Sequence, residues 1–211
     1  KDFGNRDPKS SFLTEIASTI GVLEHAIKNV DKWTKDEKRP SNVDRPFFIR
    51  MLMGLLGSKS YIKYQPLGTV GVISPWNFPV NLILAPLGGI FAAGNRAMIK
   101  PSELTPVTSE VTKKMFEAYF DKSEAAVFTG DAEVGAAFSA LPFDHLLFTG
   151  GTQIGKKVMK AASDNLVPVT LELGGKSPVI VDENADLSEV AKKVMRGKTM
   201  NAGQICLAPD Y

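Results

Sequence analysis

Several features that mark particular protein classes are scarce in this chain. Among its 211 residues there is one cysteine, Cys206, so no internal disulfide can form and a small disulfide-stabilised secreted domain is excluded. The 25 basic residues nearly balance the 23 acidic ones, for a formal net charge of +2, which is too small to indicate a nucleic-acid partner. The longest apolar tract, residues 80–94, is interrupted by Pro86 and three glycines and is shorter than the roughly 20 residues of a membrane-spanning helix. We therefore expect no membrane span.

The composition is otherwise that of an ordinary globular protein. Hydrophobic residues make up 44% and charged residues 23%, close to average usage. The first residues, Lys1-Asp2-Phe3, include neither an initiator Met nor a secretory signal pattern. Together with the single cysteine, this favours a reducing compartment. We expect a cytoplasmic protein, and a chain that is part of a longer one.

The first third of the chain predicts a helix and an arm. Apolar residues recur at alternating steps of four and three from Phe12 to Val30, which predicts an amphipathic helix. Residues 32–45 are charged, aperiodic and contain Pro40, so we expect an exposed connection there. The β-type pattern of residues 58–66 predicts an edge strand or hairpin that projects as an arm.

Strand patterns alternate with helix patterns from Thr69 onward. Predicted strands cover residues 69–74, 97–100, 125–129, 145–149, 167–173 and 178–181, and predicted helices cover residues 79–94, 106–120, 131–140, 152–163 and 186–200. This alternation requires right-handed crossovers, and it predicts an α/β fold with a doubly wound, mostly parallel sheet. Ligands of such sheets bind outside the carboxyl ends of the strands. The residues directly after each strand are therefore the candidate site residues.

Two strand ends carry short polar motifs. Asn77 follows the first strand, between two prolines and two aromatic residues; it is either part of a rigid turn or a preorganised donor for a developing oxyanion. Lys100 and Glu103 follow the next strand. They form either a solvated helix start capped by Ser102 or a pair that binds the two hydroxyls of a ribose.

A glycine-containing turn follows a third strand. Gly150, Gly151 and Gly155 match neither the dinucleotide fingerprint nor the P-loop. Such glycines nevertheless let a pyrophosphate approach the free N–H groups of a helix N-terminus. The alternative is a tight turn in which Thr152 is the helix N-cap.

An acid and the cysteine complete the candidates. Glu172 leaves a strand that we expect to be buried, and it precedes two glycines, so its carboxylate is either paired or poised as a general base by desolvation. Cys206 is either a small buried hydrophobe or, because Gly203 and Gln204 open the loop before it, an accessible nucleophile. No cluster of metal-ligating residues is predicted.

Five motifs together resemble the aldehyde dehydrogenase superfamily. They are residues 75–79, 100–103, 148–155, 171–178 and 203–206, and they occur in the family's order. The resemblance covers nearly the whole chain. The sequence around the cysteine is most similar to that of the branch that acts on fatty and aromatic aldehydes such as coniferyl aldehyde. It implies a Rossmann-like cofactor domain in residues 1–57 and 67–175, an oligomerisation arm in residues 58–66, and the start of a catalytic domain in residues 176–211.

The resemblance also implies a role for each candidate. Cys206 would attack the aldehyde, Asn77 and the Cys206 backbone N–H would hold the oxyanion, and Glu172 would activate the water that hydrolyses the thioester. Residues expected to contact the cofactor are Lys100, Glu103, Gly151, Thr152, Trp76, Leu173 and Gly174. The cofactor would be NAD, because Glu103 should repel the 2′-phosphate of NADP. NADP stays possible, because related enzymes with this Glu can use both cofactors. The arm implies a homodimer or homotetramer.

Two departures from the family pattern lead to further expectations. Many members have Ser where this chain has Gly151, so this chain lacks one side-chain hydroxyl that could donate a hydrogen bond to the cofactor phosphate. Members also extend well beyond the cysteine, so we expect the 211 residues alone to be weakly active or inactive. A non-catalytic dinucleotide-binding or oligomerisation module is the alternative. A thiol acyltransferase or hydrolase is disfavoured, because neither His25 nor His145 lies in a motif typical of a base for the cysteine.

Overall fold

A long helical run begins the fold. The computed structural model describes residues 2–4, 6–41 and 44–211. Helix α1 (Pro8–Ser11), a π-helical turn (Phe12–Ala17) and helix α2 (Ser18–Trp33) follow one another without interruption. The predicted amphipathic helix is therefore confirmed, and it begins slightly earlier than the apolar pattern. Its polar interruption at Glu15 lies in the π turn and is buried.

A small antiparallel pair follows the helical run. Strand β1 (Glu37–Arg39) pairs with strand β2 (Ser60–Ile62), and helix α3 (Phe47–Leu55) lies between them in sequence. The arm predicted at residues 58–66 thus contains a strand. The expectation of a simple connection over residues 32–45 is wrong at β1. That strand has three charged residues and no apolar alternation, so only its pairing with β2 reveals it.

The central sheet has five strands, all parallel. They are β3 (Thr69–Ile73), β4 (Arg96–Lys100), β5 (Ala125–Val127), β6 (His145–Gly150) and β7 (Val169–Leu173), in the spatial order β5-β4-β3-β6-β7. From β3 the chain adds β4 and β5 toward one edge of the sheet, and from β6 it adds β7 toward the other edge. Neighbouring β3 and β6 therefore form the switch point at which open parallel sheets bind ligands.

Helices cover both faces of the sheet, as predicted. They are α4 (Asn81–Ala92), α5 (Pro106–Tyr119), α6 (Ala132–Ser139) and α7 (Thr152–Ser163). A further helix, α8 (Leu187–Thr199), contributes no buried residue and contacts mainly the turn that follows it. One apolar core joins β3, β4 and β5 to α4 and α5 and includes Val72, Ile83, Ile99 and Phe116. A second core joins β6 to α6 and α7 and includes Phe138, Leu146, Phe148 and Val158.

The segment after β7 departs from the prediction. Residues 178–181 form no strand; the extended chain makes a single parallel bridge between Ser177 and Pro209 and one further hydrogen bond, from the Val179 N–H to the Tyr211 carbonyl. The apolar pattern is present, but these few contacts are too short a ladder for a strand. None of the helices in the described ranges is long and apolar enough to cross a membrane.

Candidate active site at the carboxyl edge of the sheet

The loop after β3 is bound to the loop that carries the cysteine. The side-chain amide of Asn77 donates to the backbone carbonyl of Gln204 at 2.8 Å. In return, the side-chain amide of Asn201 donates to the backbone carbonyl of Asn77 at 3.0 Å. These hydrogen bonds bring Asn77 to the residues directly before Cys206. Trp76 of the same loop lines an open cavity of about 540 Å³ together with Asn201 and Gln204.

The cysteine loop has an unusual backbone. Asn201, Ala202 and Gly203 have φ angles of 49°, 55° and 79°, in the left-handed region that residues other than glycine rarely adopt. Helix α8 ends just before them, with Met200 as its C-cap residue at a ψ of 134°, and they form a left-handed turn. The chain then leads into an exposed turn that presents Cys206 as a free, exposed thiol. The reading of this residue as a buried hydrophobe is therefore wrong.

Ionic contacts hold the end of this loop. Lys198 of α8 donates to the Asp210 carboxylate at 2.8 Å, with Lys176 at 3.9 Å. The hydrogen bond from Lys198 lowers the pKa of Asp210, so this carboxylate stays ionised well into the acidic range. The Asp210 backbone N–H also donates to the Ser177 carbonyl. The cysteine loop is thereby attached to the segment that follows Glu172.

Lys100 and Glu103 form an ion pair at the end of β4. The Lys100 Nζ donates to Glu103 Oε2 at 2.9 Å; the lysine is 2% exposed, while the glutamate side chain is 44% exposed. The hydrogen bond from Lys100 holds the pKa of Glu103 below its ordinary value. An ammonium has three N–H donors and an ionised carboxylate has several acceptor positions, so the pair has the groups that hydroxyls bind, with the carboxylate as its exposed member. The alternative of a solvated helix start is wrong, because this lysine is buried.

Helix α5 is capped from elsewhere in the chain. Its N-cap residue is Thr105, not Ser102. The Asp2 carboxylate accepts hydrogen bonds from the backbone N–H groups of Val107 and Thr108 at 3.2 and 2.8 Å. Burial pushes the pKa of Asp2 upward, but the hydrogen bonds from Thr108 and Val107 outweigh it and lower the pKa. Asp2, and not the expected Ser102, therefore caps helix α5.

The glycine turn after β6 offers open backbone at a helix start. Gly151 is the N-cap of α7, and no heavy atom lies within 4 Å of where its Cβ would be. Thr152 is the first helical residue, so its predicted role as N-cap is wrong. Gly155 has a different role, because a Cβ there would lie 2.8 Å from the Leu173 side chain. It permits close packing of the helix on β7, while Gly151 leaves room for a phosphate.

Glu172 lies on β7, next to Thr149 of β6. Its side chain is exposed, so the expectation that it leaves a buried strand is wrong. The reason is that β7 is the last strand of the sheet, and alternate residues on it, Thr170 and Glu172, are exposed. Leu173 is half-buried and Gly174 exposed. Both follow Glu172 toward the carboxyl edge.

Several functional candidates are missing from the sequence prediction. Asn201 fixes Asn77, and Arg6 and Glu15 contact the end of the same loop. The sequence Asn-Ala-Gly before the cysteine is typical of a turn, so a turn at Asn201 could have been predicted. Arg6 and Glu15 give no such signal. In the described part of the chain, no group of three or more His, Cys, Asp or Glu residues is arranged to hold a metal ion.

The geometry defines an α/β protein with a thiol, an amide donor and an open helix start at one sheet edge. Residues 4–210 match the model of the aldehyde dehydrogenase family. The chain therefore belongs to the aldehyde dehydrogenase family.

Individual relatives agree with this assignment. A probable coniferyl aldehyde dehydrogenase of Caulobacter vibrioides is 58% identical over 211 residues, all of this chain and 42% of the relative. The coniferyl aldehyde dehydrogenase of a Pseudomonas species is 54% identical over 100% of this chain and 41% of its own length. The chain thus spans about two fifths of the length of the curated relatives it matches.

Solved structures share the fold. The substrate-bound state of Staphylococcus aureus AldH has a TM-score of 0.86 and 46% identity, over 96% of this chain and 42% of that one. A Mycobacterium tuberculosis aldehyde dehydrogenase complexed with NAD⁺ has a TM-score of 0.83 and 28% identity, over 98% of this chain and 40% of that one.

Proposed function

We propose that the complete protein containing these 211 residues is an NAD(P)-dependent aldehyde dehydrogenase. It oxidises an aldehyde, of the aromatic or fatty class that includes coniferyl aldehyde, to a carboxylic acid. The observation that carries the proposal is the hydrogen bond from Asn77 to Gln204, which keeps an amide donor beside the loop of an exposed thiol. The names of the curated relatives support the substrate class.

The chemistry uses three side chains of this chain. The Cys206 thiolate attacks the aldehyde carbon and forms a thiohemiacetal. A primary amide has two N–H donors, so Asn77 can keep one on Gln204 and direct the other, together with the Cys206 backbone N–H, at the oxyanion. Bound NAD⁺ supplies the hydride acceptor. Glu172 then activates the water that hydrolyses the thioester, for which its exposed position gives it access to solvent.

The residues at the edge of the sheet fit a dinucleotide. Lys100 and Glu103 present a donor and an acceptor for the ribose hydroxyls, and Gly151 with Thr152 opens a helix N-terminus to the pyrophosphate. Nearer the nicotinamide, contacts come from Trp76, Leu173 and Gly174. The charge on Glu103 favours NAD over NADP, because a 2′-phosphate would be repelled.

The same proposal covers organisation and compartment. Residues 1–57 and 67–175 form the cofactor domain, residues 58–66 the oligomerisation arm, and residues 176–211 the start of the catalytic domain. The arm favours a homodimer or homotetramer, since the exposed β2 edge can pair with a second copy. A nucleophilic thiol needs a reducing compartment, which favours the cytoplasm.

NADH formation tests the function. We expect the absorbance of NADH to rise when the complete protein is mixed with NAD⁺ and benzaldehyde or coniferyl aldehyde. The Cys206→Ala variant should show no such rise but should still bind NADH. NADH binding without turnover in the unaltered protein would instead support a non-catalytic dinucleotide-binding module. Equal turnover by Cys206→Ala would exclude the covalent mechanism.

A further inference from the structure

A buried carboxylate in the helical run is bound to the start of α4. Glu15, 5% exposed, accepts hydrogen bonds through Oε2 from the backbone N–H groups of Val80 and Asn81 at 3.1 and 2.9 Å. Its other oxygen, Oε1, is 3.1 Å from the Arg6 guanidinium. Both carboxylate oxygens are therefore used. Neither contact is part of the chemistry described above.

These contacts replace a missing helix cap. Val80 is the N-cap residue of α4 and contributes no capping side chain. The first N–H groups of a helix need acceptors, and its N-terminus favours negative charge. Glu15 supplies both from another part of the chain. Asn81 strengthens the attachment by donating through Nδ2 to the Thr19 hydroxyl at 2.9 Å.

The partner of Glu15 reaches the loop that carries Asn77. The Arg6 guanidinium lies 5.6 Å from the ring centre of Phe78, the residue after Asn77. It also donates to the Thr14 hydroxyl at 2.7 Å. The ion pair therefore contacts the loop after β3 at two points, the Phe78 ring and the N–H groups of residues 80 and 81.

The local helix geometry fits this role. Glu15 lies in the π-helical turn Phe12–Ala17, a geometry that is rare and is found frequently at functional sites. A buried ion pair contributes little net stability in general, but it fixes geometry and is costly to break. The main effect of this pair is therefore to fix the position of the loop after β3, and its net contribution to stability is small.

We propose that Glu15 and Arg6 form a positioning pair that holds the loop after β3 so that the Asn77 amide stays directed at the cysteine loop. The inference rests on the proposed function for its kinetic consequence. It assigns Glu15 an action through Asn77, with no contact to the substrate.

A double-mutant cycle in the complete protein tests the kinetic half. We expect Glu15→Gln to lower kcat/KM for benzaldehyde at least ten-fold with an unchanged KM for NAD⁺. A Gln amide has one acceptor oxygen where Glu15 has two, so its NH2 meets a donor either at Arg6 or at the N–H groups of residues 80 and 81. In the Asn77→Ala background the same change should have less than a two-fold effect. Glu24→Gln, an exposed charge change on the same helical run, is the matched control and should have less than a two-fold effect in both backgrounds. Equal fold-losses in the two backgrounds would overturn the proposal.

Amide hydrogen exchange tests the structural half independently. Peptides covering residues 76–84 should exchange at least ten-fold faster in Glu15→Gln than in Glu24→Gln, and unchanged exchange would refute the positioning. If the unaltered protein forms no NADH, the proposed function fails while this measurement still decides the attachment. Should Glu15→Gln fail to fold, Arg6→Lys, which keeps the charge and loses the Thr14 contact, is used in the same cycle and must show the same non-additivity.

Discussion

The side-chain amide of Asn77 and the backbone carbonyl of Gln204 are 2.8 Å apart, although 127 positions separate them in sequence. This hydrogen bond joins the loop after β3 to the loop of Cys206. It brings the residues of the two loops into one candidate site. Its strength depends on the geometry of both loops, so changes in either should alter the chemistry.

Removal of the Asn77 amide tests the oxyanion role. We expect Asn77→Ala to lower kcat by about 10²- to 10³-fold, the usual cost of losing one oxyanion donor, with little change in NADH affinity. Steady-state NADH formation and NADH fluorescence titration measure the two quantities. Asn29→Ala is the control, because Asn29 donates to a helix carbonyl on the exposed side of α2. A comparable loss in both variants would show that the effect is not specific to the site.

The Lys100–Glu103 pair should make stability depend on pH. The pKa of Glu103 lies below its ordinary value of 4.5 in the folded protein, so the pair stabilises the fold fully above that value and stops doing so as the pH falls through the lower, folded pKa. Glu103→Gln should therefore lower the thermal unfolding midpoint at pH 7, and the difference should shrink toward about pH 3.

Glu110→Gln, at an exposed position of α5, is the control and should show no such pH-dependent difference. A difference between wild type and Glu103→Gln that stays constant from pH 7 to pH 3 would contradict the ion-pair explanation.

The left-handed residue Ala202 should limit stability. At φ 55° a non-glycine residue carries strain of order 1–3 kcal/mol, and glycine removes it at an entropic cost of roughly 0.5–1 kcal/mol. We expect Ala202→Gly to raise the thermal unfolding midpoint slightly. Ala137→Gly in helix α6 should lower it, because the same substitution in an ordinary helix costs about 1 kcal/mol. A decrease in both variants would show that the loop stores no strain.

The alternation of strands and helices was readable from the sequence because it depends on local periodicity. The predicted strand at residues 97–100 corresponds to Arg96–Lys100, and the predicted helix at residues 186–200 to Leu187–Thr199. Strand β1 escaped prediction because three charged residues carry no apolar pattern. The strand predicted at residues 178–181 failed for the opposite reason, since an apolar pattern does not supply a pairing partner.

The site was predictable as a set of motifs but not as an arrangement. Asn77 and Cys206 stood out by their flanking residues, whereas the burial of Lys100 and the exposure of Glu172 depend on what the rest of the fold covers. Glu15 gave no signal, because its partners at residues 80 and 81 are about 65 positions away. Capping by a distant side chain is a tertiary contact that no local pattern encodes.

The open space at Gly151 allows a gain of function to be tested. A serine fits there without a close contact, and as N-cap of α7 it should stabilise the helix by a few tenths of a kcal/mol. Its hydroxyl would also donate to the pyrophosphate, and one hydrogen bond of about 0.5–1.5 kcal/mol corresponds to roughly two- to ten-fold tighter binding. We therefore expect Gly151→Ser to lower the NADH dissociation constant in a fluorescence titration. Gly150→Ser is the contrasting variant: its Cβ would lie 2.6 Å from the buried Phe148 ring, so this substitution should destabilise the fold. If Gly151→Ser is stabilised but its NADH dissociation constant is unchanged, the pyrophosphate does not bind at this turn.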